Sequence, residues 1–61
     1  MLTRPGMIGA IRSLIEDYYA EGRFEYVKEI MGDVDRFNFG EVSDDEVRRI
    51  WAQMVYDWGA N

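Results

Sequence analysis

Sixty-one residues without a single cysteine or histidine make at most one domain, close to the lower limit for unaided folding, and exclude disulfides and thiolate metal sites. Seven basic against twelve acidic residues leave a formal charge of −5, which repels phosphate backbones and anionic membranes unless the charge is segregated. Two Trp, four Tyr and three Phe are then the main resource for a core, or for assembly with another chain.

The opening MLTRPGMIGAIRSLIEDYY contains no clean apolar stretch and meets Glu16 and Asp17 too early for a signal peptide. No run approaches the ~20 apolar residues of a membrane helix. The expected location is the cytoplasm, with which the absence of cysteine agrees. The spacing predicts an all-α fold: a single domain over 1–61 with helices at about 5–21, 23–31 and 44–58, and a structured loop over 33–42.

In the first helix Thr3 is the candidate cap and Pro5 suits a first turn. Gly6 and Gly9 weaken that beginning, so regular helix is expected from near Met7. Met7, Ile8, Ile11, Leu14, Ile15, Tyr18 and Tyr19 trace its apolar face, opposite Arg12, Ser13, Glu16 and Asp17. Gly6 and Gly9 have no lysine or strand beside them, so frayed or close-packed helix explains them better than a phosphate loop does. Gly22 is the expected break. Were it not one, helices one and two would fuse into a rod of about 25 residues, since a helical glycine costs only ~1 kcal/mol.

Phe24, Val27, Ile30 and Met31 fit a second, shorter helix ending at Gly32, with Tyr26 pointing away from its apolar face. Residues 33–41, DVDRFNFGE, have no helical period; Asp33, Asn38 and Gly40 form turns, and Val34, Phe37 and Phe39 are apolar anchors, at least one Phe plugging into the core. The third helix is the most legible. Ser43 and Glu46 make a capping box, Val42 and Val47 a hydrophobic staple, and Val47, Ile50, Trp51, Met54, Val55 and Trp58 recur on one face before Gly59, the expected stop.

Motifs with possible chemistry have structural explanations. Counting Asp33 as the first position of a calcium loop puts Phe37 where an oxygen ligand belongs, Asn38 where glycine is needed and Asp44 where a bidentate Glu belongs. Asp44, Asp45 and Glu46 suit the positive end of a helix dipole, and Asp44 and Asp45 stand four residues before Arg48 and Arg49 for surface ion pairs. With no His or Cys, one lysine, Lys28, and no base beside Ser13 or Ser43, no nucleophile–base pair can be built. The chain is therefore expected to be a non-enzyme without cofactor or metal. Direct nucleic-acid binding is not expected, because the end of helix three that would meet base edges is acidic.

Two sets of residues are candidates for a partner. Tyr18, Tyr19, Tyr26, Trp51, Val55, Tyr56 and Trp58 exceed what a core this small hides, and aromatic residues left at a surface favour protein contacts. Asp17, Glu21, Glu25, Glu29 and Asp33 recur every four residues, a spiral ridge drifting ~40° per step on an unbroken helix. The aromatic set points to a small acidic interaction module, an inhibitor, adaptor or subunit, binding a protein partner or its own copy. The acidic set supports the alternative of a nucleic-acid mimic that blocks a DNA- or RNA-binding enzyme. A third expectation is a self-assembling structural helical protein. Size, acidity and poverty of catalytic groups are similar in style to small phage and mobile-element proteins, though no motif carries a family.

Overall fold

The computed structural model describes residues 3–60. They form a small all-α domain of three helices, α1 (Arg4–Ala20), α2 (Phe24–Met31) and α3 (Asp44–Ala60), with two short 3-10 turns between α2 and α3 at Val34–Arg36 and Phe39–Glu41. Helix α1 starts at Arg4, not near Met7: the Gly6 amide donates to Thr3 Oγ1 at 3.3 Å, and Pro5 lies in the first turn. A working cap thus offsets the entropy of the two early glycines.

Gly22 does break the chain. The Arg23 amide donates to the Tyr18 carbonyl and the Gly22 amide to that of Tyr19, each at 2.9 Å, while Gly22 takes φ 75. This is a Schellman termination, in which a left-handed glycine lets the last carbonyls be satisfied as the chain reverses. Gly32, at φ 77, ends α2 and turns the loop back toward α1. Gly59, by contrast, remains inside α3, which extends to Ala60. Positive φ occurs only at Gly22 and Gly32 among the described residues, and a glycine without a left-handed turn only weakens a helix.

The path of the chain follows from a few contacts. Arg4 meets Asp44 at the start of α1 and α3, and Tyr18 meets Met54 and Trp58 near their ends, so these helices run parallel. Helix α2 runs the other way: Tyr26 at its beginning reaches Asp57, and Ile30 near its end lines a hollow with Ile50. The core takes Met7, Ile11, Ile15 and Tyr18 from α1, Val27 and Met31 from α2, and Val47, Ile50 and Met54 from α3. Ile8, Leu14, Val34, Phe37, Phe39 and Trp51 pack partly buried around it, so both loop phenylalanines serve as anchors. Burying a side chain of this kind is worth roughly 1.5–3 kcal/mol, and the three- and four-residue spacing within each helix is what gathers them on one side.

The start of α3 is capped, with the Glu46 amide donating to Ser43 Oγ at 3.2 Å. The reciprocal half of the capping box is not formed, because the Glu46 carboxylate pairs instead with Arg49 at 2.5 Å. Nor do Asp44 and Asp45 pair with Arg48 and Arg49. Asp44 accepts from Arg4 at 2.7 Å, and the same guanidinium donates to the carbonyls of Val42, at 2.7 Å, and Phe39. Arg4, with a largely covered side chain, satisfies three acceptors at once and so outcompetes a solvated helix-surface pair. Among the described residues, no helix is long and apolar enough to cross a membrane.

Candidate protein-interaction surface

Apart from the partly buried Phe37, Phe39 and Trp51, the aromatic residues sort into a cluster at the core and two exposed groups. The cluster is centred on Tyr18, which is fully buried. Tyr26 stacks on its ring at a centroid distance of 4.6 Å and 15° between planes, and Trp58 meets it edge-on at 5.1 Å. The Arg23 guanidinium lies over both tyrosines, 4.9 Å from the Tyr18 centroid and 5.4 Å from that of Tyr26. Arg23 is the residue just past the Gly22 turn, so the helix termination itself delivers this cation to the ring faces. The Tyr18 hydroxyl donates to the Met54 carbonyl at 2.8 Å, tying α1 to α3.

Tyr26 therefore does not point away from the core. Its ring stacks on Tyr18, and its hydroxyl donates to Asp57 Oδ2, an acceptor that also receives Gln53 Nε2 at 2.9 Å. Loss of solvent and the hydrogen bond to the Asp57 carboxylate push the Tyr26 phenol well above its ordinary pKa. The same hydrogen bond, with help from Gln53 and the nearby Arg23 charge, holds Asp57 below the usual carboxylate range. Tyr18 offers no surface to a partner, and Tyr26 and Trp51 offer little, being half-buried against the core. These three leave the candidate set because the core needs them.

Tyr56 is the most open large apolar side chain among the described residues, at 73% of its full exposure, with Val55 beside it at 42% and Trp58 still 36% open despite its contact with Tyr18. Val55 and Tyr56 face outward from the last turns of α3, whereas Trp58 lies at the edge of its core face, against Tyr18. The other exposed group is at the corner between α1 and α2, where Tyr19 and Phe24 pack at 5.0 Å and Phe24 keeps 57% of its exposure. Periodicity puts Phe24 on the apolar face of α2. It sits at the first residue of the helix, before neighbouring turns can cover it. Its place directly after the Gly22–Arg23 turn was the available signal.

The acidic residues Asp17, Glu21, Glu25, Glu29 and Asp33 are all exposed. The Gly22 turn divides them: Asp17 and Glu21 belong to the end of α1, Glu25 and Glu29 to α2, and Asp33 caps the first 3-10 turn, where it accepts from the Asp35 amide at 3.1 Å and pairs with Arg36 at 3.4 Å. They form no continuous ridge on one helix. No protein family, curated protein or solved structure matches this chain.

Proposed function

We propose that the protein is a non-catalytic interaction domain that binds another protein through its exposed aromatic side chains, in the manner of an inhibitor, adaptor or subunit. One observation carries the reading: Phe24 and Tyr56 keep most of their exposure, with Tyr19, Val55 and Trp58 also left open beside them, while the other large apolar side chains among the described residues are drawn into one core. Leaving rings of this size in water forgoes roughly 1.5–3 kcal/mol apiece. Such rings recover that energy, and often supply much of an interface, when a partner covers them. The aromatic groups lie at the α1–α2 corner and on the end of α3, so two separate contacts are available.

A photo-reactive phenylalanine analogue placed at Phe24 or at Tyr56, in the cells that make the protein, tests this directly. A protein cross-linked from either position, and lost with Phe24→Ser or Tyr56→Ser while circular dichroism is unchanged, is the expected result. Sedimentation of the pure protein separates a second copy from a foreign chain as the captured species. A monomer at all concentrations with no cross-link from either position would defeat the proposal.

A further inference from the structure

Two hollows meet at Val34, which lines both: one of about 310 Å³ between Tyr19 of α1, Phe24 and Lys28 of α2 and the loop that follows, and one of about 340 Å³ between α1 and that loop. Their shared wall is one face of α1, where Arg12, Glu16 and Tyr19 follow at steps of four and three residues and span ~10 Å. The facing wall is the loop, turned back by Gly32, which contributes Val34, Phe37 and Phe39. One trough therefore runs past Val34 with a pair of rings at each end. Phe37 and Phe39 meet edge-on at 4.8 Å at one end, and Tyr19 and Phe24 pack at the other.

Charge is distributed unevenly along it. Glu16 lines one hollow with Val34, and Asp33 and Asp35, the residues either side of Val34, line the other; Asp33 pairs with Arg36, while Glu16 and Asp35 are exposed and in no ion pair among the described residues. The cations are at the ends: Arg12 is held over the Phe39 ring at 5.3 Å, and Lys28 lines the hollow with Phe24. An anionic occupant is repelled at the centre, where a cation would meet two carboxylates.

Resting on the interaction-domain reading, we propose that this trough takes a peptide segment of a partner in which a lysine or arginine stands between two apolar side chains. The apolar side chains seat against the two ring pairs, and the cation lies over Val34 between Glu16 and Asp35. Such charge pairing sets register and partner choice more than raw affinity, which the apolar anchors supply. The two anchors and the cation share one face when the anchors stand seven residues apart in a helix with the cation three or four residues after the first, or four apart in an extended segment with the cation midway. A second copy of this chain is a poor occupant, because its exposed Val55 and Tyr56 adjoin Asp57, and Arg23, the cation beside its exposed Phe24, is held over the Tyr18 and Tyr26 rings.

Selection of a random peptide display library on the full-length protein reads out this preference. Enriched peptides should carry Lys or Arg between apolar residues at one of those spacings. Synthesised and labelled, they should lose at least about tenfold in affinity on Phe24→Ser, and likewise on combined Glu16→Lys and Asp35→Lys, with Tyr56→Ser without effect. Enrichment of neutral or acidic peptides, no enrichment, or sensitivity to Tyr56→Ser alone would overturn the proposal. If cross-links from Tyr56 persisted in that case, the trough would fall while the interaction domain stood; if they too were absent, both would fall.

Discussion

Tyr18 of α1 meets Arg23, Tyr26 of α2 and both Met54 and Trp58 of α3, so truncating it in two steps separates the contributions. Tyr18→Phe removes only the hydroxyl that donates to the Met54 carbonyl at 2.8 Å. That carbonyl lies inside α3 and is also faced by the amide four residues on, so the loss is that of one buried hydrogen bond, about 1 kcal/mol. Tyr18→Ala removes the ring as well, and with it the stack on Tyr26, the edge contact with Trp58 and the seat of the Arg23 cation. A buried aromatic truncated to alanine costs roughly 3–5 kcal/mol. Against a total stability of about 3–9 kcal/mol for a chain of this length, Tyr18→Ala removes at least about a third of the stability, and all of it at the lower end of that range. Urea denaturation followed by far-ultraviolet circular dichroism measures both, and thermal melting should place Tyr18→Phe about 4–8 °C below wild type. Two results would refute the reasoning: Tyr18→Phe as stable as wild type, or Tyr18→Ala still cooperative with a loss under about 2 kcal/mol.

Ser43→Ala should cost about 1 kcal/mol by denaturant melting, since it removes the acceptor of the Glu46 amide at the start of α3. Arg4→Met keeps the stem but abandons Asp44 and the Phe39 and Val42 carbonyls; a loss of about 1–2 kcal/mol is expected, well above that for removing the more exposed Arg49 of the Glu46 pair. The Tyr26–Asp57 pair makes stability fall at both extremes of pH. Tyr26's folded pKa is raised, so its contribution is complete below the unfolded value of about 10 and is lost as pH climbs beyond it. Asp57's is depressed, so its contribution is present above an unfolded value of about 4 and disappears as pH falls toward the folded one. Stability curves of Tyr26→Phe and Asp57→Asn against pH should converge on wild type at the alkaline and acid ends respectively, and parallel curves would disprove the linkage.

How far the candidate surface was legible differs from residue to residue. Tyr56 and Trp58 stand in the last turns of α3, and both are open. Tyr18 and Tyr19 are neighbours with the same chemistry, yet one is wholly buried and the other faces the trough. Helical spacing cannot divide two adjacent residues at the edge of an apolar face; the position of α2 and the end of α3 does so. Phe24 was misplaced for a similar reason, because a first-turn residue lacks the preceding turn that would enclose it. The trough was not foreseeable at all, as it is made between α1 and a loop without period.

Local chemistry written in the chain determined where the helices begin and end: the oxygens of Thr3 and Ser43 accept amides a few residues on, and Gly22 and Gly32 adopt backbone angles that other residues resist. Such interactions span a handful of positions, so their energies can be read without knowing the fold. The partner of each long side chain was decided only by packing. Arg4 met the start of α3, 40 residues away, and Tyr26 met Asp57, 31 away, because parallel α1 and α3 and an opposed α2 brought those acceptors within reach. A guanidinium or phenol competes among every acceptor it can touch, and that set exists only once the helices have docked.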